Sequence, residues 1–406
     1  MNGALAGIRV LDLTTNIAGP CATMILAHLG ATVLKIERPD DGDDARHMAP
    51  FHGPWSAYFL AINRGKRSVA VDLRRPEGRQ ILLRLAERAD VFIENMRGGK
   101  AAALGLDETS VRTVRPDIVY ASLSAYGPRG PEREKAGYDA LLQARTGIVS
   151  VTGEEGSAGA RAGISLLDMG TGIWGALGVL AALFEHGRTG RGQRVDGSLF
   201  QTGVSWMAYH LLARQFTGRD PRPQGMRHEA FSPYGEYPTA DGVILIGVSN
   251  DRLFARLCRA IGQSALADDL RFTTNALRVE HRAALDEQIA SLLRARTTSA
   301  WLRRFDEEGV PSSAVQTTGQ LLEDPQLAAL GQMETVALPD LAAVLSPGLP
   351  LQLSEHQGDA ALGPPPRLGE HTAEALGEAG FSAAEIDELA RRGVVALDTT
   401  EAACAR

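Results

Sequence analysis

A single carboxylate, Asp168, stands in the apolar, glycine-rich stretch Ile164-Ser165-Leu166-Leu167-Asp168-Met169-Gly170-Thr171-Gly172-Ile173-Trp174-Gly175, directly ahead of a segment with helical spacing. An Asp at a helix start caps it by accepting backbone N–H groups, worth about 1 kcal/mol. Those donors and the positive end of the helix dipole favour the ionised form. An ionised carboxylate beside small glycines is open to a bulky electrophile and can act as a nucleophile, so the two readings are compatible. Gly170-x-Gly172-x-x-Gly175, with Asp196 about 20 residues further on, also has the spacing of a dinucleotide fingerprint. Against that, only Val195 is apolar just before Asp196, and the run lies in mid-chain. Glycines that let a helix pack closely on its neighbours are the alternative.

The rest of the chain removes several kinds of chemistry. No G-x-S-x-G elbow, H-E-x-x-H or G-x-x-x-x-G-K-[ST] occurs, which sets aside the common hydrolase, metalloprotease and NTPase readings. Cys21, Cys258 and Cys404 are far apart and show no metal spacing, so free thiols in a reducing cytoplasm are expected, with no metal site. His28 and His210 fall on expected helices as packed or solvated residues, and His371 reads as structural. A formal charge of −7 offers no global basic field for nucleic acid. With 44% hydrophobic and 22% charged residues, and no export signal or long uncharged apolar run, a cytoplasmic protein that spans no membrane is expected. The basic residues Arg38, Lys66, Arg67, Arg97 and Lys100 follow strand-like runs or sit in loops. They are either scattered surface charge or a site for phosphates.

The elements that must position these residues alternate. Ile8–Leu13 reads as a strand, Ala22–Leu29 as a helix closed by Gly30, and 32–37 as a second strand. A helix over 76–88 and strands at 91–94 and 118–122 continue the pattern, so a large α/β domain of doubly wound, Rossmann-like type is expected. Such sheets bind ligands at the carboxyl ends of their strands. A helix over 171–185, a short strand at 194–196 and a long helix to about 216 follow. Composition shifts at GRDPRPQGMRHEAFSPYGEYP (218–238), rich in Pro, Gly and charge. The 406 residues therefore divide as 1–222, the large α/β domain; 223–331, a smaller α+β domain; and 332–406, a return segment that completes the large one. The tail from 398 to 406 reads as frayed.

Seven phrases in order carry a resemblance. They are GIRVLDLTTNIAGP, LGATVLKIERP, YFLAINRGKRSVAVDL, ADVFIENMRGG, AGYDAL, LLDMGTGIWGALGVLAALFEHGRTGRGQRVDGSLF and LGEHT. Together they resemble the family III CoA-transferases, the CaiB/BaiF type, which include formyl-CoA transferase, carnitine CoA-transferases and 2-methylacyl-CoA racemases.

The resemblance implies that Asp168 is the family's nucleophile and that CoA passes through a thioester on its carboxyl. CoA is then a substrate, with no tightly bound cofactor or metal. It also implies an interlocked homodimer in which each chain threads the other. Tyr138 stands where the racemases carry a proton-transferring His, which favours transfer of CoA from an acyl-CoA donor to a carboxylic acid over racemisation. Asp139 stands where the formyl-CoA enzyme has Glu, and Ile17 where it has Gln. Tyr58, at the head of its phrase, and His228, in the region of that enzyme's glycine loop, complete the group expected to meet the acyl substrate. Arg38 matches a residue near the adenine, and Lys66 and Arg67 match an N-x-x-K-R-S phrase expected at phosphates. Ala103 replaces an Arg common in relatives, leaving Arg97 or Lys100 to take its part. A racemase or intramolecular CoA mover is the alternative within the family. A nicotinamide-dependent oxidoreductase and a non-enzymatic acyl-CoA-binding protein are alternatives from outside it.

Overall fold

The computed structural model describes residues 3–339, 341–356 and 362–398. The expected tail beyond 398, with Cys404, lies outside the described residues. Six strands run parallel: β1 (Arg9–Leu13), β2 (Thr32–Glu37), β3 (Arg67–Val71), β4 (Val91–Glu94), β5 (Val119–Ser124) and β6 (Arg194–Ser198). A smaller antiparallel sheet comprises β7 (Tyr234–Pro238), β8 (Val243–Gly247) and β9 (Ser312–Ala314), and β10 (Met333–Leu338) pairs with β11 (Leu341–Pro347). The last strand, β12 (Val395–Ala396), returns to the large sheet antiparallel to β3, giving the order β12-β3-β2-β1-β4-β5-β6.

Both faces of the large sheet are covered, which is why its strands read as near-continuous apolar runs. Helices α1 (Ala18–His28) and α2 (Ala57–Asn63) follow β1 and β2, and α3 (Pro76–Ala86), with Pro at its first position, follows β3. The short α4 (Asp139–Arg145) and the long α5 (Leu166–Thr189) precede β6, and α6 (Leu199–Trp206) follows it. On one face Val10, Val33, Val91, Ile93, Val119 and Leu123 pack with Leu26 of α1 and with Ala176 and Val179 of α5. On the other, Leu11, Val69, Phe92 and Tyr120 pack with Ile81 and Leu85 of α3 and with Leu376 and Ile386 near the C-terminus. Each fully buried large apolar side chain contributes roughly 1.5–3 kcal/mol.

Two expectations are corrected. The helix over 171–185 begins at Leu166, so Asp168 lies inside its first turn and the glycine run is helical, not a strand-to-helix turn. A Cβ at Gly170 would lie 2.3 Å from Trp206, one at Gly172 2.8 Å from the Ala18 carbonyl oxygen, and one at Gly175 2.8 Å from Leu123. Close packing of α5 against its neighbours accounts for these glycines, so the dinucleotide fingerprint has no loop to form on. The long helix to 216 is two helices, Leu199–Trp206 and Ala208–Thr217. Among the described residues α5 alone is long and apolar enough to cross a membrane, with mean hydropathy 1.6, and 44% of that stretch is buried inside the protein.

The chain forms two compact units. One comprises Met1–Ile148, Ala162–Leu212 and Leu330–Arg406; the other comprises Val149–Arg161 and Ala213–Ala329. Within the second, Ile244, Ile246, Phe254, Leu257, Phe272, Leu285, Trp301 and Phe305 form a separate core. Its limits fall at 213 and 329 rather than at 223 and 331, and it also takes in 149–161.

Candidate active site

The carboxyl ends of β1 to β5 open into a cavity of about 570 Å³ in the larger unit. Leu13, Ile36, Val71, Leu73, Met96 and Leu104 give it apolar walls, and it is lined as well by the basic Arg38, Arg74, Arg97, Lys100, Arg133 and Lys135 and the acidic Glu37, Asp43, Asp44 and Asp72. A doubly wound sheet places a ligand at that edge because the loops leaving its strands diverge there. Arg97 and Lys100 have no carboxylate partner among the described residues. Arg38 is half exposed and bonds Asp41 and Asp44, each at 2.7 Å. Tyr138, 68% exposed, stands on the rim.

Directly after Tyr138 comes Asp139, and this residue ties the cavity to Asp168. One Asp139 carboxylate oxygen accepts the backbone N–H groups of Leu167 at 2.6 Å and Asp168 at 3.0 Å. It therefore caps α5 from a distance in sequence, while Ser165 at the N-cap position makes no side-chain cap bond. Two backbone donors that a helix start leaves unsatisfied are thus met by another helix's first residue. Asp168 is not the cap that the sequence suggested. Among the described residues nothing donates a hydrogen bond to its carboxylate.

The electrostatics follow. Burial, and secondarily the neighbouring Asp139 carboxylate, push the Asp168 carboxyl from 3.8 up to about 7. This reverses the sequence expectation of a carboxylate held ionised by its helix, because the α5 donors are turned to Asp139. A carboxylate with few hydrogen bonds and a raised pKa is the more nucleophilic for it, and half of it is ionised near neutral pH. Beside it, the Cys21 sulfur lies 3.9 Å from the Met169 carbonyl oxygen. Burial and the Asp168 charge keep that thiol protonated, at about 11.

The remaining expected residues divide. Ile17 sits just beyond Thr15 and Asn16, which line the cavity. Tyr58 is 42% exposed on α2 but does not line it. His228 belongs to the smaller unit, where its ring packs on Phe231 and Tyr234. Lys66 is corrected as a phosphate ligand: its ammonium is fully buried and bonds Asp12, Asn63, Thr23 and the Pro20 carbonyl. Arg67 is corrected too, because it opens β3 at the opposite edge of the sheet and pairs with Glu374 and Glu378. Arg74, Asn95, Arg133 and Lys135 were not picked out from the sequence. The charged run PEREK directly before AGYDAL was the signal for Arg133 and Lys135, and Asn95 ends the strand phrase ADVFIEN.

A cavity of this kind, with apolar walls, two basic side chains, Arg97 and Lys100, that no carboxylate pairs among the described residues, and a partly ionised carboxylate tied to its rim, suits a group-transfer enzyme whose substrate carries a phosphorylated handle. The sequence profile of CoA-transferase family III matches residues 5–372, and the chain belongs to that family. It is 38% identical over 409 residues to an acyl-CoA transferase of Fusarium pseudograminearum, covering 97% of this chain and 88% of that one. It is 35% identical to the human succinyl-CoA:glutarate CoA-transferase, covering 96% of this chain and 90% of that one. The crystal structure of a CAIB/BAIF family protein from Brucella suis superposes with a TM-score of 0.83 at 34% identity, covering 93% of this chain and all of that one. The protein is accordingly a CoA-transferase, and CoA is its substrate.

Proposed function

We propose that the enzyme moves CoA from an acyl-CoA donor to a carboxylic acid acceptor through a thioester on Asp168. The observation that carries this reading is the Asp168 carboxylate, unbonded, poised near neutrality and joined through Asp139 and Tyr138 to the cavity that holds Arg97 and Lys100. An Asp168 oxygen attacks the donor's thioester carbon, the C–S bond breaks, and an aspartyl–acyl anhydride and CoA thiolate form. The thiolate attacks the Asp168 carboxyl carbon and releases the donor acid, which leaves with one Asp168 oxygen. The acceptor carboxylate then attacks the aspartyl thioester and expels the thiolate, which takes the acyl group from the second anhydride and restores Asp168. The free energy of the thioester is carried through the anhydrides and the aspartyl thioester, so no ATP is consumed, and water must be kept from the acyl intermediates.

The phosphates of CoA fit Arg97 and Lys100 at the cavity, and its adenine fits the apolar walls near Arg38. The acids fit short dicarboxylates, as the name of the human relative suggests for that enzyme. Tyr138 faces the acyl group, with Ile17 and Tyr58 of the same unit as its other expected contacts. The enzyme acts as an interlocked homodimer, as the family resemblance implies. Support comes from the outer face of α5, where Ile173, Trp174, Leu177 and Phe184 are exposed at 46–71% on a helix otherwise built into the core.

Replacement of Asp168 with Ala tests the reading. Turnover of succinyl-CoA with a dicarboxylate is expected to vanish while free CoA still binds. Retained turnover in that variant would end the proposal.

A further inference from the structure

We infer that Lys35, acting with Asp43, is a positioning residue that holds the Thr14–Asn16 turn in the shape that receives the CoA moiety of the donor. This rests on the CoA-transferase reading above. The turn leaves β1 at the carboxyl edge of the sheet, and Thr15, Asn16 and Asp43 line the cavity. Its backbone is held by side chains at every step. The Thr14 N–H donates to Asp12 at 2.9 Å, and the Thr14 carbonyl accepts from the Lys35 ammonium at 2.9 Å. Asn95 accepts from the Thr15 N–H at 2.9 Å and donates to the Thr15 carbonyl at 2.7 Å. The Asn16 N–H donates to Asp43 at 2.9 Å, with Asn16 in the left-handed region at φ 64°.

Lys35 and Asp43 join these contacts into one assembly. Their ammonium and carboxylate lie 2.7 Å apart with both side chains wholly buried, and Asp43 also accepts the Ala45 N–H. A buried ion pair is a poor stabiliser, since desolvation offsets its attraction and an apolar pair of equal volume holds a sheet as well. An apolar pair, however, cannot donate to the Thr14 carbonyl or accept from the Asn16 N–H. Those two contacts keep a left-handed Asn in place at the cavity wall, a conformation that costs free energy unless its surroundings impose it. Beyond the turn, α1 begins against Gly172, one turn from Asp168, so the same clamp sets the wall between CoA and the nucleophile.

The test compares Lys35→Gln and Asp43→Asn with the wild-type enzyme. Asp43→Asn has one oxygen where Asp43 uses two, so it loses either the bond to the Lys35 ammonium or those to the Asn16 and Ala45 N–H groups. The Kd for free CoA and the KM for the acyl-CoA donor are expected to rise about tenfold or more, with kcat and the KM for the acceptor acid within about threefold. A purely structural role would instead lower Tm and the active fraction and leave CoA affinity unchanged in the folded enzyme, and that result overturns the inference. Should Lys35→Gln fail to fold, Asp43→Asn decides alone by the same readout. A wild-type enzyme that binds no CoA would overturn the functional reading itself. Normal wild-type binding with unaltered affinity in the variants overturns only the positioning role.

Discussion

The Asp139 carboxylate caps the helix that carries the Asp168 carboxylate, holding the Leu167 and Asp168 N–H groups at 2.6 and 3.0 Å. The capping charge is thereby fixed close to the nucleophile and opposes its ionisation, while the bonds themselves fix where the nucleophile stands. One side chain thus sets both the place and the proton affinity of the other.

Asp139→Asn separates these effects, because an amide oxygen still caps the helix but carries no charge. Activity of the wild-type enzyme is expected to rise with pH through about 7 as Asp168 ionises. In the variant this acid limb is expected to move down by about 0.5–2 pH units, since burial, the larger cause, remains. Asp139→Ala, which loses both bonds, is expected to cost about 1–2 kcal/mol in urea unfolding besides. A limb that stays near 7 in the Asn variant would show that Asp139 does not govern Asp168.

Asp168→Asn is expected to stabilise the protein, increasingly with pH. The folded-state carboxyl lies above its unfolded value of 3.8, at about 7. The folded state therefore binds the proton more tightly, and this contribution to stability is full below about pH 4 and is lost as pH rises through 7. The variant escapes that loss. Its advantage in urea unfolding is expected to widen from pH 5 to pH 8, to at most about 4 kcal/mol, and to less because Asp168 is partly open to solvent. A constant gap across that range would remove the raised carboxyl from the account.

Gly172→Ala probes the contact between α1 and α5. The added methyl would meet the Cys21 Cβ at 2.7 Å and the Ala18 carbonyl oxygen at 2.8 Å, both on the first turn of α1. Backbone cannot yield cheaply, so a loss of about 1–3 kcal/mol is expected, together with lower kcat as Asp168 is displaced. Wild-type stability and rate would mean that the helices separate without consequence.

Arg97→Ala and Lys100→Ala test the cationic part of the cavity. Each is expected to raise the KM for the acyl-CoA donor about 3–30-fold with little change in kcat, and to flatten the dependence of that KM on salt. An unaltered KM in the double variant would place the phosphates elsewhere.

Much of the fold was legible because its strands are buried on both faces and its helices end at clear signals. Val91–Glu94 and the 32–37 strand were read to the residue, and Gly30 marked the end of the helix that follows β1. The start of α5 was not, because glycines normally weaken helices, and only the tertiary contacts of Gly170, Gly172 and Gly175 explain why they are favoured there. Lys66 and Arg67 were misread for a related reason. They are neighbours in sequence, but Lys66, just ahead of β3, turns its ammonium into a buried cluster with Asp12, while Arg67, which opens the strand, reaches Glu374 and Glu378. The link from Asp139 to Asp168 spans 29 positions and uses backbone donors, which no residue pattern reports.

Covalent attachment of CoA to Asp168 during turnover is the central step of the proposed transfer. Enzyme mixed with succinyl-CoA and no acceptor, then treated with hydroxylamine or borohydride and analysed by peptide mass spectrometry, reads this directly. The expected result is a hydroxamate or a reduced side chain at Asp168, absent from the Asp168→Asn variant. An unmodified Asp168 in enzyme that turns over fully once the acceptor acid is added would contradict it.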